Sequence, residues 1–450
     1  MKRFKYSFLI ILLLIPSLAF GGIHLALGLG GGSHRLEDTF TDMDAVLLQE
    51  HHAESGGYPW RYSSSTWTIS SNAVINTPTL GGELGDNVGF EDGGAGNPWL
   101  PTGWSNAGLD AGESANDAVI FHSGANAFHV GPIGVGHAYE GITDDKSLTT
   151  GVWHALSVWV YPISGRGALT VHGQIGIDDH LFSASGGATW EQLKGFGLCT
   201  GASANSDYFL RAVDNNGEVV FDDFSIKPLT TAELFAVTNT GFSSGYVKLT
   251  DTVIEAGSIL GAAMCVDSPA NPQNGFIAIA NRTAGNFQVY ALNSGTWTSL
   301  IDTAFTYAAG AEIVLLLDEN KKYLYAFYNN GGYTRQDVSS YTTIINNTYH
   351  GMFSPSSGNS VSKVDIKSLQ FESDVVVSGI TKASPGVVTA TGHGYSNGDL
   401  VNFHALTEMT ELNGYYDAVE NKADNTFQTI NTSGFGAAET TGGNCVRKVQ

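Results

Sequence analysis

Between residues 245 and 372 the sequence repeats short apolar runs, each closed by a cluster of Asn, Gly or Asp. The run at 286–292 ends at the Asn-Ser-Gly of 293–295, and the run at 312–317 ends at the Asp-Glu-Asn of 318–320. Apolar runs of about five to seven residues between such clusters are typical of antiparallel strands joined by tight turns. The pattern therefore predicts a β-sandwich.

Charge and composition narrow the classes of function. The 450-residue chain has 43 Asp and Glu residues against 21 Lys and Arg residues, a formal net charge of -22. Such acidity argues against binding to nucleic acid or to an anionic membrane. It fits a soluble extracellular protein, and the carboxylates either keep the protein soluble or hold calcium. Cys199, Cys265 and Cys445 form no C-x-x-C pair, so we expect no structural disulfide.

The N-terminus has the pattern of a targeting segment. Lys2, Arg3 and Lys5 precede an apolar run at 8–15, and Ala19 and Gly21 offer small side chains for cleavage before the next residue. We predict a signal peptide at 1–21, followed by a Gly-rich leader at 22–35. The apolar run is short for a membrane span, so we expect no stable membrane insertion after cleavage, with an uncleaved anchor as the alternative.

Residues 36–80 resemble the opening strands of concanavalin-like (laminin-G-like) sandwiches. The residues that carry the resemblance are Asp38, Phe40, Asp42, Asp44, Trp60, Trp67, Ile69 and Asn72, and Ala45 stands where the family has Gly. The resemblance implies that more strands follow at once, but the pattern changes near Gly81. We therefore predict one sandwich built from 36–80 and 240–373, interrupted by an inserted domain. The alternative is two independent domains, with 36–80 as a short β-extension.

The predicted insert at 84–229 resembles the jelly-roll carbohydrate-binding modules attached to xylanases. The resemblance rests on N-x-G-F-E-x-G from Asn87, P-T-G-W ending at Trp104, and a closing strand at 219–226. In that family the first-strand Glu and a final-strand Asp share a structural calcium, which implies Glu91 with Asp222 or Asp223 as ligands. The alternative is that these acids cap turns or bond backbone N–H groups.

Sugar binding requires aromatic rings exposed for stacking on pyranose faces. The candidates in the insert are Trp99, Trp104, Trp153, Trp159, Tyr161 and Trp190. We expect Trp104, Trp159 and Trp190 to pack in the core. The predicted ligand-binding residues are Trp99, Trp153 and Tyr161. The histidines of this region, His122 among them, lack metal-ligand spacing and are expected to be ordinary surface or core side chains.

Residues 375–450 form a third segment with five short apolar runs. G-H-G-Y-S-N-G-D from Gly392, L-N-G ending at Gly414 and N-T-F from Asn425 resemble a small β-barrel module of phage tail and virion proteins, also found in ubiquitin-activating enzymes. Glu408 replaces a Gly of that family. The resemblance implies a fold and a virion context and no ubiquitin chemistry. The predicted fold class is thus all-β: two β-sandwich or jelly-roll domains, one inserted in the other, and a small C-terminal β-barrel-like domain.

No catalytic motif is found in the chain. Glucanases on such sandwiches carry E-x-D-x-x-E or E-x-D-x-E on one strand, and neither string occurs here. We predict a non-enzymatic carbohydrate-binding or adhesion protein, secreted or at the cell surface, with a virion as the alternative location. Its partner is a glycan or polysaccharide and not nucleic acid. The alternatives are an extracellular polysaccharide hydrolase with unrecognised carboxylates and a purely structural phage tail or decoration protein.

Overall fold

The computed structural model describes residues 35–40, 47–48, 60, 66–92, 94, 96–134, 139–146, 148–171, 174–175, 180–183, 186–199, 206–282, 284–329, 334–368, 370–371, 374–397 and 399–449. The predicted signal peptide, the leader up to residue 34, and Asp42, Asp44 and Ala45 of the concanavalin-like pattern lie outside the described residues. Among the described residues, no helix combines the length and the apolar character needed to cross a membrane.

The regular elements of the described chain are strands and short 3-10 helices, among them those at Thr231–Leu234 and Thr410–Leu412, so the all-β prediction is confirmed. The strands up to residue 228 are β1 (Arg35–Asp38), β2 (Trp67–Ser70), β3 (Ala73–Asn76), β4 (Ser105–Ala107), β5 (Ser114–Asp117), β6 (Ala127–Val130), β7 (Tyr139–Lys146), β8 (Trp153–Val171), β9 (Gln174–Ile175), β10 (His180–Phe182), β11 (Glu191–Cys199) and β12 (Ser206–Pro228). Those that follow are β13 (Phe235–Asn239), β14 (Gly245–Val253), β15 (Ile259–Val266), β16 (Gly275–Asn281), β17 (Asn286–Asn293), β18 (Thr296–Ala304), β19 (Ala311–Leu317), β20 (Tyr323–Tyr328), β21 (Thr334–Asp337), β22 (Tyr349–Phe353), β23 (Ser360–Ser368), β24 (Gln370–Phe371), β25 (Val375–Val377), β26 (Gly379–Ile380), β27 (Gly386–Thr389), β28 (Leu400–His404), β29 (Tyr416–Ala418), β30 (Thr426–Thr429) and β31 (Gly443–Val449).

The first three strands join strands that follow residue 240. In the eight-stranded sheet the order is β2-β3-β23-β14-β19-β20-β21, and β1 also pairs β23, with Leu36 opposite Ile366. A six-stranded sheet, β13-β22-β15-β16-β17-β18, packs against it. Trp60 and Trp67 share one apolar core with residues of both sheets, such as Leu315 of the eight-stranded sheet and Met264 of the six-stranded sheet. The predicted insertion requires this pairing, and the domain limits themselves stay a prediction.

Residues 105–228 form a nine-stranded sheet that bends over its own core. The long strands β8 and β12 pair along their whole length, but residues 208–213 of β12 also pair β7, whereas residues 219–221 pair β6. Between these halves Gly165, Asp214 and Asn216 have positive φ angles of 68°, 77° and 57°. The bend brings the inner faces of the two halves together around buried side chains such as Phe128 and Leu210.

The jelly-roll region, which is the nine-stranded sheet of residues 105–228 and the loops that join its strands, packs against the six-stranded sheet. Trp153, Leu198 and Leu229 share a second apolar core with the sheet face that carries Ile277 and Phe353. The opposite face of the same sheet lies in the sandwich core. The six-stranded sheet is therefore covered on both faces, which explains why its inner strands β15, β16 and β17 are buried nearly throughout, whereas its edge strand β18 alternates.

The C-terminal segment has its own small core, which includes Tyr395, Phe403 and Phe427. It contacts the outer face of the eight-stranded sheet, where the Tyr325 hydroxyl donates to the Gly414 carbonyl at 2.8 Å. The Arg335 guanidinium lies 4.3 Å from the ring of Tyr323 on that sheet and 4.3 Å from the ring of Tyr415 on the C-terminal segment. These contacts hold the segment against the sandwich.

Candidate functional site

The outward face of β8 carries a row of aromatic side chains. Leu156, Val158 and Val160 alternate inward and are buried, whereas Ser157, Trp159 and Tyr161 point outward and are half-buried. This is the period of two that a strand imposes on its side chains. Trp190, which immediately precedes β11, is half-buried as well. We call Trp159, Tyr161 and Trp190 the aromatic platform.

Strand pairing brings the platform residues together. Because Glu191 of β11 pairs with Val160 of β8, Trp190 lies level with Tyr161. Their ring centroids are 5.5 Å apart with an interplanar angle of 58°. Gln192, an exposed residue, pairs with Trp159. The platform therefore spans two adjacent strands of a rigid sheet and has an amide at its side.

His122 completes the platform from a loop. Its ring stacks on Trp159 with a centroid distance of 3.9 Å and an interplanar angle of 15°, and it meets Trp190 edge-on at 5.5 Å. The Nδ1 atom of His122 lies 2.7 Å from Oδ2 of Asp223. Since a carboxylate accepts, Nδ1 is the donor in this bond. The imidazole is thereby fixed in orientation against the two indole rings.

Two adjacent acids on β12 hold the loop that carries His122. Oδ2 of Asp222 accepts the backbone N–H groups of His122 at 2.8 Å and of Ser123 at 3.0 Å. Oδ1 of Asp223 accepts the Ser123 hydroxyl at 2.6 Å. Burial raises the pKa of Asp222 above its ordinary value, while the N–H donors of the loop oppose that shift. The acids thus serve as anchors for the loop.

Glu91 anchors the second half of the same loop. Its Oε1 accepts the N–H groups of Ala125 at 2.7 Å and of Asn126 at 3.2 Å. The Ala125 bond is the largest cause of the lowered pKa of Glu91. Gly124 has a φ of +69°, and a Cβ at this position would lie 1.8 Å from Oε1 of Glu91. A Cβ here would push the Glu91 carboxylate away from the loop, and the positive φ itself favours glycine.

The three acids predicted to hold calcium are thus already engaged by the protein's own N–H and O–H groups. Calcium takes about six to eight oxygen ligands, and the Ser123 hydroxyl is the one oxygen atom among the donors named above. Within the described residues no group of three His, Cys, Asp or Glu side chains is arranged to hold a metal ion. Glu91 and Asp222 bond backbone N–H groups, as the alternative expects, and Asp223 bonds the side chains of His122 and Ser123. The calcium site stays a prediction.

The structure corrects the predictions for Trp153, Trp159 and Trp190, and that for Trp99 stays a prediction. Trp153 is fully buried between Trp297 and Phe353, so it presents no face to a sugar. Trp99 is half-buried and stacks on Phe128 at 6.2 Å, at the edge of the inner core and away from the platform. Trp104 is buried as expected. The other corrections concern Trp159 and Trp190, which were expected in the core and instead form the platform with the predicted Tyr161.

His122 had no sequence signal as a site residue. It lies about 100 positions from Asp222 and Asp223, and the chain gives no spacing that links them. A signal for Trp159 and Tyr161 was available: in S-V-W-V-Y at 157–161 the Val residues alternate with the aromatics, which places the two sets on opposite faces.

No protein-family model matches the chain, and no curated protein matches it in sequence. Among solved structures, the CBM22-1 xylan-binding domain of Xyn10C from Paenibacillus barcinonensis is 17% identical, with 34% of this chain and 97% of that chain covered and a TM-score of 0.26. The tandem CBM22-1-CBM22-2 domain of the same enzyme is 13% identical over 65% of this chain and 98% of that chain, with a TM-score of 0.27. The carbohydrate-binding module CBM66 from Bacillus subtilis is 9% identical over 30% of this chain and 78% of that chain, with a TM-score of 0.22. Likenesses at these TM-scores say nothing about the ligand of this chain.

Proposed function

We propose that the protein is an exported, non-enzymatic glycan-binding protein, and that the aromatic platform is its binding site. The observation that carries this proposal is the outward position of Trp159, Tyr161 and Trp190 on two paired strands. Grouped aromatic rings at a protein surface mark ligand sites, because leaving them in water is unfavourable. The C–H faces of a pyranose ring are apolar and flat enough to stack on such rings.

The charge of the chain separates a glycan from the other ligands that stack on aromatics. Single-stranded nucleic acids also stack on exposed rings, but their phosphates require a positively charged groove. Here Asp223 lies against the platform through His122, and the chain as a whole has a net charge of -22. An uncharged hydroxyl-rich ligand meets no such repulsion, and Gln192 offers it an amide donor and acceptor.

The acids beside the platform support binding without hydrolysis. A glycosidase needs two carboxyl groups facing each other across the sugar bond. Asp222 and Glu91 instead accept backbone N–H groups of the 122–126 loop. Release of reducing sugar from a bound polysaccharide would favour the hydrolase alternative over this proposal.

Affinity electrophoresis in gels that contain xylan or hydroxyethyl cellulose tests the proposal. We expect retardation of the wild-type protein, and a loss of about tenfold or more in affinity for Trp190→Ala and for Tyr161→Ala, since central aromatic anchors dominate binding energy. Trp99→Ala is the matched control, because Trp99 is also a half-buried aromatic of this region but lies off the platform.

Equal losses in all three variants would remove the platform as the site. If the wild-type protein is not retarded by either polysaccharide, the glycan-binding proposal fails and the structural alternative of a phage tail or decoration protein becomes the better one. That alternative is favoured by the G-H-G-Y-S-N-G-D segment from Gly392.

A further inference from the structure

We propose that the glycan site continues beyond the platform onto an ion pair between Lys194 and Glu255, so that the ligand is a chain of several sugar rings bound across two regions of the protein. This inference rests on the proposed function. It adds a polar subsite contributed in part by residues outside the jelly-roll region, and it makes Glu255 a determinant of ligand length.

The pairing of β8 and β11 sets the position of this subsite. Gln192 pairs with Trp159, and Lys194 pairs with Ser157. Outward residues on one strand recur every two positions, about 7 Å apart. Lys194 and Ser157 therefore form the next row after Trp159 and Gln192 on the same face. Both residues of that row are half-buried and in contact with solvent.

Glu255 reaches this row from the sandwich, in the turn between β14 and β15. Its Oε1 accepts the Lys194 ammonium group, and its Oε2 accepts the Ser356 hydroxyl at 2.5 Å. The side chains of Lys194 and Glu255 remain 37% and 31% exposed, so the pair is open to a ligand. Although burial opposes ionisation, the hydrogen bonds from Lys194 and Ser356 lower the pKa of Glu255, which keeps it a carboxylate.

The backbone holds this junction in place. Gly257, with a φ of +79°, lies so close to β11 that a Cβ would be 2.2 Å from the Lys194 carbonyl oxygen. The Glu255 N–H donates to Oδ1 of Asn359 at 2.9 Å. These contacts fix the backbone beside Lys194 and Glu255, so a ligand does not have to order it upon binding.

The chemistry of the row suits sugar hydroxyl groups. The Lys194 ammonium has three N–H donors and the Glu255 carboxylate has several lone pairs, so the pair retains donors and acceptors beyond its own contact. A sugar ring stacked on Tyr161 and Trp190 is two rows away, about 14 Å along the strand. Only a ligand of several linked rings reaches both places.

Calorimetry with xylo-oligosaccharides and cello-oligosaccharides, from dimers to hexamers, tests this inference. We expect the wild-type affinity to rise about tenfold between the shortest and the longest binder of the series, and Lys194→Ala/Glu255→Ala to abolish this rise while leaving the shortest binder within about twofold. Lys248→Ala/Glu312→Ala is the matched control, because it removes a similarly exposed ion pair from another sheet. Urea midpoints confirm that both double variants remain folded.

A rise with length that is the same in the Lys194/Glu255 variant and in the wild type overturns the inference but leaves the proposed function in place. An affinity that does not depend on length in the wild type overturns it as well. If the wild type binds no member of either series, the proposed function fails together with the inference.

Discussion

Trp153 and Trp159 project from the same side of β8, six positions apart, but their surroundings are opposite. Trp153 is 0% exposed and contacts Trp297 and Phe353 with centroid distances of 5.7 and 5.4 Å. Trp159 is half-buried, and His122 stacks on it. Ala155 and Phe196, which are near the Trp153 end, are half-buried at the edge of the same core.

The difference shows that a strand face acquires its role from what packs on it. The six-stranded sheet covers the Trp153 end of the face, and its cover ends before Trp159. The same residue type thus serves as a core side chain at one end and as a candidate ligand contact at the other. Four measurements test this contrast, from the largest expected effect to the smallest.

Replacing Trp153 by alanine should give the largest effect. Removing a fully buried indole leaves a cavity in the core between the two regions, which we expect to lower the free energy of unfolding by about 3–5 kcal/mol. Trp190→Ala, at the open end, should cost less than about 1 kcal/mol. Urea denaturation followed by circular dichroism measures both. Similar losses in the two variants would show that the two ends of the face are not different in packing.

Acidification should destabilise the sheet that covers the Trp153 end, through the buried His350 of its strand β22. Burial lowers the pKa of His350 from 6.5 to about 4. Between these two pH values the unfolded chain binds a proton at this residue and the folded chain does not. The free energy of unfolding therefore has its full value above pH 6.5 and decreases as the pH falls toward 4, by about 2 kcal/mol near pH 5.

Urea midpoints at pH 7.5 and pH 5 measure the loss. His350→Gln should reduce it, because an amide can accept the Cys265 N–H and donate to the Phe242 carbonyl as His350 does and does not titrate. His404→Gln, beside the exposed Asp374, serves as the control. A wild-type midpoint that is the same at both pH values would contradict the prediction.

The third comparison is between two glycines with positive φ, Gly124 in the His122 loop and Gly112 in the turn between β4 and β5. Gly124→Ala places a Cβ against the Glu91 carboxylate and should lower the free energy of unfolding by about 1–2 kcal/mol more than Gly112→Ala. Gly112 has a φ of +90°, but a Cβ on it would meet no atom within 4 Å, so its replacement reports backbone strain alone. Gly124→Ala should also weaken glycan binding, since the loop carries His122. Equal costs at the two sites would mean that Glu91 does not hold the loop.

Calcium should have the smallest effect. Because Glu91, Asp222 and Asp223 already accept hydrogen bonds from the loop, we expect calcium or a chelator to shift the melting temperature by less than about 1 °C. Differential scanning calorimetry with calcium and with EDTA measures the shift. A clear stabilisation by calcium that is lost in Asp222→Asn would support the calcium site that the family resemblance implies.

The sequence predicted local structure better than it predicted which faces are covered. The apolar runs at 286–292 and 312–317 correspond to β17 and β19, because alternation and turn residues act over short distances. The closing strand predicted at 219–226 is the last part of β12, which begins at Ser206 because its first part pairs with β7 and β8 on the other side of the bend. Trp153 was misjudged because Trp297 and Phe353, which pack on it, lie more than 100 positions away in the chain.

The double covering of the six-stranded sheet has a consequence for any attempt to divide the protein. A fragment limited to 84–229 would expose Trp153, Leu198 and Leu229 to water, and the remaining sandwich would expose Ile277, Trp297 and Phe353. Both fragments would present apolar surfaces of the kind that drives aggregation. Residues 84–229 resemble a separate domain in sequence, but one of their apolar cores is shared with the sandwich. The two regions should therefore unfold together, as one cooperative unit.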